Sequence, residues 1–502
     1  MTKSLLAVSL VLGLLFDYFF FEKVPGISFP LYVFFIAAGL FVIANFLKKQ
    51  INKDVAWLLI PLLFFSVMVF VRASFLLIFL NIAASLLLLL MIAEAAFGRK
   101  VKNLLVGDYI KNLILPFKFI RPLFLTLSDL LSFCGVNKDR KVLSQVAMGI
   151  IITIPVLFIF LLLFSSADLI FQKYLSDLIN IDIESETVFR CVLIFILTLI
   201  YIGAYSYIFR KAENKIAADQ NKNNNVYRVG QIESNILFGS INVLFFIFII
   251  VQLAYLFGGE SNISAQGFTY AEYARRGFFE LIAVAIISLL LLLITEKYVA
   301  RKETDHELGF KILSAALVVQ VILIMASAFT RLSLYEEAYG FTTLRLYSHA
   351  FIVLLAIIFC LLLYKIYIDK RENTFAFRVF ILIVSFLAVM NFLNPDAFIA
   401  RRNIERFAAT GKLDFMYLDS LSDDAVPDII NAINMGDEEL GKSFAHDLYW
   451  RAQNKIGSPF FSKWQSLNLS RMRVEKILNS KIREFEQYKD FEPQNLDRAS
   501  VN

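Results

Sequence analysis

Runs of about twenty consecutive apolar residues recur along this chain, and that is the length an α-helix needs to cross the hydrocarbon of a bilayer. The stretch LLIFLNIAASLLLLLMIA at 76–93 is one example. Lipid offers the backbone no hydrogen-bond partner, so a segment of this kind satisfies its own N–H and C=O groups as a helix. Eleven such segments can be placed, at 4–21, 28–47, 55–71, 73–93, 146–167, 188–209, 236–258, 277–298, 309–330, 347–368 and 376–393. The expected fold is therefore all-α: a polytopic transmembrane helical bundle over 1–394, followed by a small helical domain at 395–502. Composition agrees. Hydrophobic residues make up 58% of the chain, charged residues 18%, and the mean hydropathy is +0.67. Soluble globular chains run at roughly 45–50% apolar and about 25% charged. A soluble enzyme, a disordered chain, a collagen-like fibre and a disulfide scaffold are excluded on these grounds.

Lysine and arginine in the connecting loops set an orientation. With the N-terminus in the cytoplasm, the loops on that side carry 26 basic residues and those on the other side 8. An odd number of crossings then leaves the C-terminal region extracytoplasmic, in a cell (inner) membrane protein. The N-terminal segment lacks a small-residue cleavage site and reads as a retained first helix. The net charge of +6 is too small and too dispersed for nucleic-acid binding.

One loop on the basic side, 98–145, is apolar with Lys111, Lys118 and Arg121 interspersed, and Pro116 and Pro122 break any single long helix. It reads as one or two helices lying on an anionic leaflet. The tract QNKNNN within 210–235 reads as a solvated turn. The C-terminal region is punctuated for helices. Asn394-Pro395-Asp396 is a start signal and Gly411 a stop. Ser422-Asp423-Asp424 opens a second helix that Gly436 closes, Asp437-Glu438-Glu439 opens a third, and 470–488 is partly amphipathic.

Signatures of reaction chemistry are missing. The chain has no G-x-S-x-G, H-E-x-x-H, phosphate-binding loop or C-x-x-C. Its three cysteines, Cys134, Cys191 and Cys360, suggest no disulfide framework. Its three histidines, His306, His349 and His446, lie far apart. No catalytic residue, metal site or cofactor is assigned. The informative feature is a set of charges at the expected extracytoplasmic boundary. Thr269-Tyr270-Ala271-Glu272 is a capping box that starts the eighth helix early, placing Glu272, Arg276 and Glu280 on one face. The ninth helix extends past Arg331 with Tyr335, Glu336 and Glu337 to a stop at Gly340. The tenth begins with Arg345 and His349, and Asp396 and Arg401 leave the last span on the same side. One reading is a pocket for a headgroup, anionic solute or peptide, with Arg276, Arg331 or Arg345 as donor. The other is an ion-pair network that seats the C-terminal domain on the bundle. Asp17, an acid within the first span, is either a functional group by virtue of its place or a hydrated interface residue. Arg190 reads as snorkelling towards water.

Three stretches, GISFPLYVFF at 26–35, RLSLYEEAYGFTTLRLYSHAF at 331–351 and NPDAFIARRNIERFAATGKLDFMYLDSLSDDAVPDII at 394–430, resemble an uncharacterised bacterial membrane family. This is the domain-of-unknown-function group 4173, with its relative 4153. The resemblance implies a bacterial integral membrane protein and brings no reaction or ligand. Three roles follow as expectations. One is a non-enzymatic sensor or assembly factor whose external domain reads an envelope protein. Another is a transporter or lipid-handling protein that admits a lipid headgroup or solute at the charged cluster. The third is a membrane glycosyltransferase of the C type with Asp17 or Glu22 as the acid, although its first external loop, 22–27, is short for that class.

Overall fold

A computed structural model of the chain describes residues 2–97, 100–133, 185–214, 231–256, 278–298, 306–433, 438–456 and 463–491. Among these residues the chain is helical, with no strand. It divides into two compact units interleaved in sequence. The first comprises Met1–Val71, Ile78–Gln220 and Gly457–Leu469, and the second Arg72–Leu77, Asn221–Ile456 and Ser470–Asn502.

The helices of the first unit are α1 (Thr2–Phe20), α2 (Ser28–Phe46), α3 (Asp54–Val71), most of α4 (Phe75–Ala95), α5 (Val106–Leu113), α6 (Ile120–Phe133) and α7 (Ser185–Asn214). Gly13 lets α1 lie close along α7. A Cβ there would come within 2.5 Å of Thr198 Oγ1 and 2.9 Å of the Ile194 carbonyl oxygen, the close approach that small residues permit between membrane helices. Buried hydroxyls add further ties. Tyr32 and Tyr201 share a 2.6 Å hydrogen bond, and Tyr205 donates to the Ile36 carbonyl at 2.7 Å. The segment around 464–468 closes on the same helices. Ile27 N–H donates to the Leu467 carbonyl at 2.8 Å, Asn468 Nδ2 to that of Val69 at 3.1 Å, and Trp464 packs on Tyr18 and Phe19.

The segment read as a surface anchor is broken at Pro116, as the sequence predicts, but not at Pro122. Pro116 sits in a 3₁₀ turn, Leu115–Phe119, between α5 and α6, whereas Pro122 falls in the first turn of α6. A proline there needs no N–H, so the helix starts rather than breaks. Ile110, Leu113, Phe117 and Ile120 are exposed while Leu115 and Phe119 are buried, so this segment has one face towards the unit and a second apolar face away from it.

In the second unit α8 (Gln231–Leu256) and α9 (Phe278–Tyr298) pack on α10 (His306–Tyr339), which turns into α11 (Thr343–Tyr367) and then α12 (Glu372–Leu393). At 1.5 Å per residue the 34 residues of α10 span about 50 Å, well beyond the roughly 30 Å of bilayer hydrocarbon. The charged end from Arg331 onward thus projects past the apolar part. Asn394, in the left-handed conformation with φ 54°, ends α12 and leads through Pro395 into α13 (Pro395–Thr410). Its side chain makes no capping bond there, contrary to the start signal read from the sequence. Gly411 ends α13 at φ 66°, as expected. Then follow α14 (Phe415–Asp419), α15 (Val426–Ala432), α16 (Glu438–Ile456) and α17 (Leu469–Glu486). Ile399, Phe415, Leu418, Ile429, Phe444, Leu448, Val474 and Phe485 form one core, to which α11 contributes Leu346.

Eight helices among the described residues, α1–α4, α7 and α10–α12, are long and apolar enough to cross a membrane. The segments expected at 236–258 and 277–298 are helices with shorter apolar stretches, Ser234–Ile250 and Leu281–Glu296. The segment expected at 146–167, the turn at QNKNNN, Cys134, the capping box at Thr269–Glu272 and Gly436 lie outside the described residues.

Candidate functional site

The charges singled out in the sequence fall mostly in the second unit, where the end of α10, the start of α11 and α13 meet. The α10–α11 turn is tight because Gly340 takes φ 82°, a conformation that costs glycine little. A Cβ on Gly340 would also sit 2.7 Å from Asn403 Oδ1. Asn403, buried on α13, reads the turn as a backbone would. Its Oδ1 accepts from Phe341 N–H at 2.7 Å and its Nδ2 donates to the Phe341 carbonyl at 2.8 Å. Tyr417 of α14 accepts from Thr343 N–H at 2.6 Å, at the amino end of α11 where N–H groups lack intrahelical partners. Arg406 donates to the carbonyls of Glu337 and Ala338 at the carboxyl end of α10, at 3.0 and 2.6 Å. There a cation meets the negative end of a helix.

A second junction is built on two acids. Asp424 Oδ2 accepts from the N–H groups of Ala73 and Ser74 at 2.7 and 3.1 Å, in the turn that precedes α4. Asp396 Oδ1 accepts from Ser74 Oγ at 3.3 Å, and its Oδ2 accepts from Ser422 N–H at 3.3 Å. Both acids are buried. Burial pushes the Asp424 carboxyl above its ordinary range, and the bonds from Ser470, Ala73 and Ser74 and the charge of Arg72 pull it back. Burial likewise lowers Arg471, against the attraction of Asp423 and Asp424. Tyr347 points a buried hydroxyl here that lacks a hydrogen-bond partner among the described residues. Asp423 pairs with Arg451 at 3.0 Å.

Glu336 and Arg331 are buried. His349 bridges Glu336 Oε1 and Ser333 Oγ, each at 3.2 Å. The order hydroxyl, imidazole, carboxylate has the connectivity of a catalytic triad. The Ser333 hydroxyl, however, is within 3.1 Å of the Phe329 carbonyl one turn back on its own helix, an acceptor that competes for its proton. The trio is a lock between α10 and α11. Arg345 stacks on Tyr335 at 4.1 Å and donates to the Gly340 carbonyl. Glu337 is exposed, and Arg401 is an exposed partner of Asp428 at 3.3 Å. Arg276 and the side chain of Glu280 lie outside the described residues.

Asp17, in the first unit, is buried and held bidentately by Arg190, with Nε and Nη2 at 3.0 and 2.7 Å. Of the two readings of Asp17, the hydrated one does not describe this buried carboxylate, while the Arg190 side chain, 43% exposed, still reaches outward as expected. The guanidinium on α7 answers both carboxylate oxygens at once with charge-assisted hydrogen bonds. The sequence reading missed Asp424, Asn403 and Tyr417, and also a buried pair, Lys365 and Glu296, 2.5 Å apart. Both members of that pair sit near the ends of apolar runs, where they look like ordinary flanking charges. Among the described residues no group of three or more His, Cys, Asp or Glu side chains is placed to hold a metal ion.

The first junction joins 331–351 to 394–430, and the second joins 394–430 to the turn at 73–74. The sequence profile of the family described as Domain of unknown function (DUF4153) matches residues 59–432, well over half of the chain. The fold and the match together define a multi-pass integral membrane protein, built from apolar helices that contact the lipid bilayer. The chain belongs to the DUF4153 family, the second of the two groups that its sequence resembles. No curated protein and no solved structure matches the chain.

Proposed function

We propose that this protein is a non-enzymatic envelope sensor or assembly factor of the cell membrane, with its N-terminus in the cytoplasm and residues 395–502 as an extracytoplasmic helical domain on about eleven spans. One observation carries the reading. The polar groups of the candidate site are directed at the protein's own backbone: Asp424 at two N–H groups, Asn403 at both groups of Phe341, Arg406 at two carbonyls. Side chains used in this way fix the C-terminal helices in place, which suits a region that presents a surface to an envelope protein. Exposed apolar side chains on those helices, Met416 and Trp450, are candidates for that surface. The test is site-directed photo-crosslinking from positions 416 and 450 in the full-length protein in its native membrane. A discrete adduct with an envelope protein, lost on deleting 395–502, supports the reading. Absence of any adduct from either position, or a tag at residue 502 that reports from the cytoplasm, overturns it.

A second reading, a transporter or lipid-handling protein entered at the charged cluster, draws support from the burial of Arg331 and Glu336. It expects neutralisation of Arg331 and Glu337 to change flux in reconstituted vesicles. The glycosyltransferase reading is not favoured, because the bidentate Arg190 contact engages both oxygens of its leading acid, Asp17.

A further inference from the structure

The first unit contains a partly open apolar cavity of about 330 Å³. This lies at the lower end of the roughly 300–1,000 Å³ typical of small-molecule pockets. Its walls are the second half of α2, the second half of α4 and α7, and its floor is Pro116 and Phe119 of the 3₁₀ turn between α5 and α6. Leu40, Leu89, Ala93, Ala204 and Ile208 are typical of the lining. Among the described lining residues, the side-chain polar atoms are the hydroxyls of Tyr201 and Tyr205, and both are already engaged, with Tyr32 and with the Ile36 carbonyl. The cavity therefore offers an incoming ligand contact surface and almost no hydrogen bonding, which selects hydrocarbon.

Its surroundings are of the opposite character. The ends of α2 and α7 beside it are joined by Lys49, whose Nζ donates to the Phe209 carbonyl at 3.0 Å, next to the lining residue Ile208. Lys48 follows the end of α2 and is exposed. Lys118, between the lining residues Pro116 and Phe119, is exposed, as is Lys111 one helix earlier. On the same turn Phe117 and Ile120 present apolar side chains away from the unit. An apolar slot between spanning helices, with Lys49 bonded beside one lining residue, Lys118 between two others in sequence, and an amphipathic segment at its floor, fits one molecule with a hydrocarbon tail and a negatively charged head.

We propose that this cavity is a binding site for an anionic phospholipid, with one acyl chain between α2, α4 and α7 and the headgroup phosphate at Lys49 and Lys118. This site is separate from the charged cluster of the second unit and does not depend on the role proposed there.

The test uses the full-length protein in vesicles containing a phospholipid with a photoactivatable acyl chain, offered with either a phosphatidylglycerol or a phosphatidylcholine head. The expected result is labelling of cavity residues on α2, α4 or α7, several-fold stronger with the anionic head. Ala204→Phe and Ala37→Phe, from opposite walls, each reduce that labelling several-fold, while labelling of the exposed Phe246 on α8 is unchanged and serves as the folding control. Lys49→Gln with Lys118→Gln removes the headgroup preference and leaves residual cavity labelling. Cavity labelling that survives both filling substitutions overturns the site. Equal labelling by the two lipids in the unsubstituted protein overturns the headgroup assignment.

Discussion

Asp17 of the first unit and Asp424 of the second are buried acids satisfied in different ways, although the second unit also holds the buried pair of Glu296 and Lys365. In the first, Asp17 meets a guanidinium, two charges cancelling across α1 and α7. In the second, Asp424 meets the N–H groups of a turn and Asp396 a hydroxyl and an N–H. Opposite charge suits helices in lipid, where the backbone is already satisfied and only another side chain can answer a carboxylate. A turn has N–H groups to spare, and an acid that takes them is a fastener for loops. The difference assigns distinct work to the two acids: one holds helix to helix, the other holds the C-terminal helices to the turn before α4.

The comparison can be broken most directly at the second unit's own charge pair. Lys365→Met removes the ammonium 2.5 Å from the buried Glu296 and is expected to cost ~3–5 kcal/mol of stability, whereas Lys365→Met with Glu296→Leu is expected to recover most of it. Thermal unfolding in detergent distinguishes the two. If the single and double variants are equally destabilised, charge cancellation is not what the pair provides. Asp424→Ala orphans two N–H groups, an expected ~2–3 kcal/mol, and should speed amide exchange at Ala73 and Ser74 specifically. Unchanged exchange there would show that the acid is not the fastener. Gly340→Ala, at φ 82° and against Asn403, is expected to lose ~1–2 kcal/mol and to expose the α10–α11 turn to protease.

Smaller effects sharpen the boundary between buried and exposed charge. Asp447, on α16, is pushed up to about 6 by burial first and the nearby Asp419 second, with His446 opposing. Its folded-state value exceeds the unfolded one of about 3.9. The folded state therefore holds the proton more tightly, and stability declines as pH rises from about 4 through 6. Asp447→Asn is expected to flatten that decline and to gain ~1 kcal/mol at neutral pH, a figure reduced for solvent screening of a half-buried group. Denaturation across this pH range reads it directly. Arg401→Ala, which breaks an exposed pair with Asp428, is expected to change stability by no more than ~0.5 kcal/mol.

Much of the fold was legible because bilayer crossing imposes a length and a composition that no local packing detail can disguise. Helix ends were legible where backbone conformation demands a residue type, as at Gly340 and Gly411. They were less so at Asn394, which supplies its left-handed backbone and no capping oxygen. The region of the candidate site was also visible, because α10 runs on in charged residues after its apolar part ends. Its pairings were not. Nothing in Asn403 or Tyr417 separates a backbone-binding side chain from an ordinary polar surface residue, since the distinction lies in which turn folds against it. Asp424 looked like a helix start because Ser-Asp-Asp has that chemistry, and the structure uses its carboxylate on residues some 350 positions earlier. Lys365 and Glu296 were hidden because flanking charges and buried partners have the same sequence pattern.

Synthesis runs in one direction, and the closure of the first unit has to wait for it. Gln465 donates to the Tyr18 carbonyl across 447 residues, and Asn468 to that of Val69 across 399. At roughly 5–20 residues per second a ribosome needs between about 20 and 90 s to supply those partners. During that interval the Val69 carbonyl waits for Asn468, and the Tyr18 carbonyl has, among the described residues, only Lys23 Nζ as its side-chain donor. The earliest helices to be made are thus among the last to be finished, and a chain cut short before residue 464 would leave them open for good.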